Sequence, residues 1–182
     1  MRDCFQFRNM TILDHGWAVW HFYFDLYDHI YHGEELEYMW DLPDQFCNFM
    51  RGHHGKLLTL DDARLYAVYH DCGKPMCLEV DGIGRQHFPN HAIRSYETWL
   101  SAGGCEDIGW YILHDMDLHS ANGDCIMGLL RDTRIFALLL MAYAEIHSNA
   151  GMFGGIQSTS FKIKRNRLDK IFKKLITVTN GG

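Results

Sequence analysis

The chain has 182 residues, with 17 Lys+Arg against 23 Asp+Glu and a formal charge of −6; this length suits one ordinary domain and excludes a multidomain machine. Hydrophobic residues at 47%, only 3 prolines and no low-complexity tract exclude disorder and predict a sizeable core. Twelve histidines are the unusual feature. They invite a metal or proton-transfer reading, which abundance alone does not establish.

The charge is segregated. Residues 161–175, FKIKRNRLDKIFKKL, hold 7 of the 17 basic residues with Asp169 as their one acid, so the body is at about −12 and the tail at +6. Such a tail either meets phosphates or is a solvated terminal helix, and both readings stand. The six cysteines form no CxxC pair and nothing at the N-terminus reads as a secretory signal, which predicts a reduced, cytoplasmic protein. The longest apolar stretch, Ile135 to Ala144, is about half the roughly 20 residues needed to cross a bilayer, so no membrane association is expected. Oligomeric state is left open.

Helical periodicity dominates and predicts an all-α fold. In a first helix over 11–32, Ile12, His15, Val19, Phe22, Leu26 and His29 form one stripe, placing two histidines among apolar neighbours, where each needs a polar partner. A second helical region over 36–51 is interrupted near Pro43 and ends at Gly52. Thr59 and Asp62 make a capping-box-like start to a helix ending at His70-Asp71, where Gly73 and Pro75 supply the stop. The segment EVDGIGRQ is a loop, and NHAIRSYETWLSAGG is a helix closed by Gly103 and Gly104. A helix over 106–118 puts Ile108, Ile112, Asp115 and His119 on one face, and a long core helix covers 124–147 before the glycine-rich turn GMFGG.

The strongest chemical signal is Tyr69-His70-Asp71-Cys72-Gly73-Lys74-Pro75. Adjacent imidazole and carboxylate groups at a helix end can share one cation, and they suit a borderline divalent ion such as Mn, Fe, Co, Ni or Zn. Lys74 adds a point charge suited to a phosphate oxygen. The bland alternative is a His-Asp pair that only caps the helix. There is no Walker lysine motif and no GxSxG elbow, and Gly82-Ile83-Gly84 is too short for a phosphate loop.

With LDHGWAV at 13–19, YHDCGKP at 69–75, HFPNHAIRS at 87–95 and HDMDLH at 114–119, the chain resembles the HD-domain metal-dependent phosphohydrolases. The likeness is nearest to the HD modules of CCA-adding tRNA nucleotidyltransferases and RNA-end repair enzymes. It implies a compact helical bundle over 1–160, with 161–182 as a basic extension packed on it or trailing from it. It also implies one or two divalent ions, Mg included, held by His15, His70, Asp71, His91 and a late carboxylate. His29 competes with His15 for the first position, and His87 sits one turn before His91.

The closing carboxylate departs from the family pattern. Asp115 ranks first, while His114, Asp117 and Glu145 are alternatives. Lys74 and Arg94 are expected to neutralise phosphate charge, with a surface ion pair as the competing reading for Arg94. His119 is placed to protonate the leaving oxygen or, equally, to be a satisfied core histidine. Lys162, Lys164 and Arg165 of the tail would hold a polyanion. The implied reaction is metal-assisted hydrolysis of a phosphomonoester or cyclic phosphodiester of a nucleotide or RNA end, with the cation activating water and the phosphoryl group. A non-catalytic, metal-stabilised module that binds RNA or a signalling nucleotide is the alternative.

Overall fold

The computed structural model of the chain describes residues 1–7, 9–120 and 123–181, without the side chains of 123 and 124. The fold is all-α: helix dominates, and strands among the described residues are confined to two short antiparallel hairpins. The chain forms two compact units, residues 1–20 with 60–115 and residues 21–59 with 116–182.

In the first unit a hairpin of β1 (Phe5–Phe7) and β2 (Met10–Thr11) leads into helix α1 (Ile12–His32), which continues into the second unit. The start of α1 is a capping box: Thr11 Oγ1 accepts the Asp14 backbone N–H at 3.1 Å, and the Asp14 carboxylate accepts the Thr11 N–H and hydroxyl. Helix α2 (Phe46–Arg51) belongs to the second unit. Next along the first are α3 (Leu60–Tyr69), the hairpin of β3 (Glu79–Val80) and β4 (Gln86–His87), α4 (His91–Ser101) and α5 (Glu106–His114).

Two glycines let backbones meet where side chains would keep them apart. A Cβ on Gly16 would lie 2.4 Å from the Val68 carbonyl oxygen, so α1 crosses α3 at backbone contact. A Cβ on Gly73 would lie 2.2 Å from the backbone of Arg94 and Ser95, so the turn after α3 is pressed against α4. Ser95, the buried residue of α4, accepts the Gly73 N–H on its hydroxyl at 3.0 Å. These two contacts set the site described below.

The second unit contains α6 (Asp117–Ser120), α7 (Gly123–Leu129), α8 (Ile135–Ser148) and α9 (Thr159–Asn180). Helix α8 is buried on all sides from Ile135 to Ala144, as expected of a helix apolar all round, and it packs against α9. Phe46 and Tyr143 meet as tilted rings with centroids 4.6 Å apart, and Phe46 meets Phe172 edge-on at 5.2 Å. The basic C-terminal segment is α9, capped by Ser158 and anchored through buried Phe161, Leu168, Ile171, Phe172 and Leu175; residue 182 lies outside the described residues.

Three expected helices differ. Residues 33–45 contain no helix, because the Asp25 carboxylate captures the N–H groups of Glu37 and Tyr38 and the Trp40 indole N–H, holding the segment as a strap. The expected helix over 106–118 breaks after His114, where the Tyr66 hydroxyl anchors Asp115. The expected 124–147 helix breaks at 130–134, where Asp132 accepts both the backbone N–H and the guanidinium of Arg134.

The strap makes stability pH-dependent. His147 donates from Nδ1 to the Tyr143 carbonyl and accepts the Asp41 N–H on Nε2 at 3.0 Å, so it is held neutral. Burial lowers its pKa to about 4, against the raising effect of the Tyr143 carbonyl and Asp41; nearby Arg165 lowers it further. The unfolded chain therefore takes up this proton near pH 6.5 and the folded chain only near pH 4, so stability falls as the pH drops through that window. Chemical denaturation should show this residue costing on the order of 2 kcal/mol between pH 7 and pH 5. His147→Gln should flatten that slope; an unchanged slope would refute the assignment.

Candidate metal centre

Three imidazoles converge on one buried carboxylate in the first unit. His15 lies in the first turns of α1, His70 and Asp71 follow the last residue of α3, and His91 is the first residue of α4. The crossing at Gly16 sets His15 beside His70, with rings edge-to-face at 5.1 Å and ligating nitrogens within 4.8 Å of one another. The contact at Gly73 brings the start of α4 to the same place. Asn90 delivers His91 from a left-handed conformation, φ 54°, which asparagine tolerates better than most residues.

The Nε2 atoms of His15 and His70 face Asp71 Oδ2 at 3.5 and 3.3 Å, and His91 Nε2 faces Oδ1 at 3.7 Å. These separations exceed the roughly 2.7–2.9 Å of a charge-assisted hydrogen bond. His70 Nδ1 donates to the Ala67 carbonyl at 2.8 Å, and His91 Nδ1 donates to the Phe88 carbonyl at 3.0 Å. With its proton on Nδ1, a neutral imidazole presents its Nε2 lone pair toward the carboxylate. Backbone bonds of this kind orient histidines that bind metals. Asp71 Oδ1 is buried and accepts no hydrogen bond from a described residue. His15, His70 and Asp71 are sealed from solvent, whereas the His91 side chain keeps 18% of its exposure.

The electrostatics favour an ionised Asp71. Burial alone would raise its pKa, but His70, Lys74 and His15 together hold it well below the usual carboxylate range. Lys74 is itself buried. Its ammonium donates to Asp71 Oδ2 and to Gln6 Oε1, and it lies 5.4 Å from the centre of the Phe88 ring. Cys72 is a poor nucleophile: burial, with Asp71 beside it, pushes its thiol up to about 11, and the thiol donates to the Ser95 carbonyl.

Each of the other candidate residues has its own surroundings within its unit. His29 lies in the part of α1 that belongs to the second unit, and its Nδ1 donates to the Glu34 carbonyl. Asp115 accepts the Tyr66 hydroxyl at 2.6 Å, and half-buried His114 packs on the Trp110 ring at 4.2 Å. In the second unit His119 faces Glu145 at 3.2 Å, and Asp117 opens α6. Exposed Arg94 pairs with Glu97 one turn on, and His87 pairs with Asp81 in the β3–β4 hairpin. On α9, Lys162 is exposed, Lys164 lies over the Phe153 ring, and Arg165 pairs with Asp41 and Asp169.

Sequence reasoning missed Gln6 and Ser95. Nothing in the N-terminal strand signals that Gln6 meets a lysine 68 positions away. Ser95 had a signal: a small polar residue one turn after His91, on the face that α4 must turn toward Gly73. The sequence matches no protein-family model, and neither curated proteins nor solved structures match it.

Proposed function

We propose that His15, His70, Asp71 and His91 bind a divalent cation and that the protein is a metal-dependent hydrolase of phosphoric esters. The observation that carries this is the convergence of three Nε2 atoms, two with protons held on Nδ1 by backbone carbonyls, on an ionised carboxylate whose Oδ1 lacks a donor. Imidazoles with a carboxylate suit Mn, Fe, Co, Ni or Zn. The order of the motifs, an early histidine, a His-Asp pair followed by Gly-Lys, then HFPNH, supports the HD-type reading and with it a phosphomonoester or cyclic phosphodiester of a nucleotide or RNA end.

A bound cation would polarise a phosphoryl oxygen and make a water molecule at the site more acidic. The chain's own residues orient the donors: the Ala67 and Phe88 carbonyls hold the imidazole tautomers, and Lys74 stabilises the charge on Asp71. His91 is the donor on the solvent side and thus the one a substrate would meet first. Because Lys74 is engaged with Asp71 and Gln6, a second reading is favoured by one observation: a metal-stabilised module that binds RNA or a signalling nucleotide without turnover.

Metal titration into chelator-treated protein, followed by a phosphatase and phosphodiesterase panel, tests both. At a cation concentration about 100 times the Kd, stability should rise by about 2.7 kcal/mol. His91→Gln should weaken metal affinity at least about tenfold. Stabilisation with no phosphate release from any ester would select the second reading; no stabilisation by any of these cations would overturn both.

A further inference from the structure

We propose that the solvent face of α9 is a docking surface for the phosphate backbone of a polynucleotide. The helix has two chemically separate sides: its apolar stripe is buried in its own unit, while Lys162, Lys170, Lys173 and Lys174 are exposed. At 100° per residue these four lysines fall within a sector of about 120°, and they extend about 18 Å along the axis. They form a basic stripe, with Lys162 about 12 Å along the axis from the cluster of the other three. Asp169, the acid within this helix, does not neutralise it, because its carboxylate accepts the Tyr143 hydroxyl at 2.7 Å and pairs with Arg165.

The structure also changes which basic residues are available. Arg165 is committed to Asp41 and Asp169, and Arg167 donates to the Leu118 carbonyl at 3.0 Å. Both arginines serve the fold, so the docking charge comes from the lysines. Point-charge ammonium groups contact phosphates rather than base faces, so binding is independent of sequence. The acidic remainder of the chain repels a polyanion, which directs it to this helix. A lipid surface fits less well: an interfacial helix needs a wide free apolar face, and the main apolar stripe of α9 is used in the core, leaving Ile163 and Val178 exposed.

This inference stands apart from the metal site, because it is read by binding alone. The test uses the full chain and a fluorescently labelled oligouridylate, with anisotropy measured between about 50 and 200 mM salt. Displacement of counterions from four phosphates on a single strand predicts a slope of log K against log salt of about −3. The variant K162E/K170E/K173E/K174E should lose at least about tenfold in affinity at the lowest salt. Its helicity and urea midpoint should match wild type because the buried stripe is untouched, and the corresponding Lys→Gln set should fall between the two in affinity. Absence of binding, a slope near zero, a quadruple variant that binds like wild type, or binding to anionic vesicles in place of RNA would overturn it.

Discussion

Asp71→Ala is expected to abolish divalent-metal binding and phosphate release together, and to destabilise the metal-free protein by about 3–5 kcal/mol. The two effects have different origins. Binding fails because the Asp71 carboxylate is the group on which His15, His70 and His91 converge. Stability falls because the Lys74 ammonium, buried against Asp71, is left with Gln6 as its remaining hydrogen-bond partner, and a buried charge stripped of its counter-ion is costly.

A second variant separates them. Asp71→Ala combined with Lys74→Met removes both charges, so it should recover most of the lost stability while remaining unable to bind metal. Urea denaturation in the presence of chelator, paired with calorimetric metal titration, measures both quantities. Retention of wild-type metal affinity by Asp71→Ala would show that the cluster is not the metal site.

Gly73→Ala should be strongly damaging, costing about 3 kcal/mol or more, or preventing cooperative folding. Conformation is not the reason, since Gly73 has an ordinary right-handed backbone with φ −86°. The reason is space: the new Cβ would sit 2.2 Å from the carbonyl carbon of Arg94 and the nitrogen of Ser95, and these backbone atoms cannot turn away as a flexible side chain would. Relief requires moving α4 away from the His70-Asp71 turn, which carries His91 out of reach of Asp71 and breaks the Gly73–Ser95 hydrogen bond.

The control is Gly128→Ala in α7. Nothing lies within 4 Å of its added Cβ, and the higher helix propensity of alanine should make the change neutral or stabilising by up to about 1 kcal/mol. Denaturant midpoints for the two variants provide the comparison. A Gly73→Ala protein that unfolds cooperatively within about 1 kcal/mol of wild type would refute the close-contact account.

How much was legible in the sequence differs from element to element. The stripe Ile12, His15, Val19, Phe22, Leu26 and His29 shows its period directly; Ile12, His15, Val19 and Leu26 are fully buried in α1, while Phe22 and His29 are partly exposed. The end of α3 was readable because Gly73 and Pro75 act locally. The strap at 33–45 was not, because its helix is prevented by the Asp25 carboxylate, and whether a distant side chain will capture an N–H group is invisible to periodicity. The breaks at 115–116 and 130–134 were hidden for a similar reason. Apolar spacing continues across both, while Tyr66 on another helix and the Asp132 carboxylate turn the chain.

The sequence by itself determined the helical class and the order of the imidazole and carboxylate groups along the chain, because helical period, capping and turn residues are properties of neighbours. It also determined the charge separation between body and tail. Only the tertiary structure decided that two glycines bring α1 and α4 to the His70-Asp71 turn, and that Lys74 turns inward to Asp71 and Gln6. It also decided that the arginines of α9 serve the fold while its lysines face solvent. Each of these depends on which backbones can approach and which charges must be satisfied when buried, and those conditions arise only once distant segments pack.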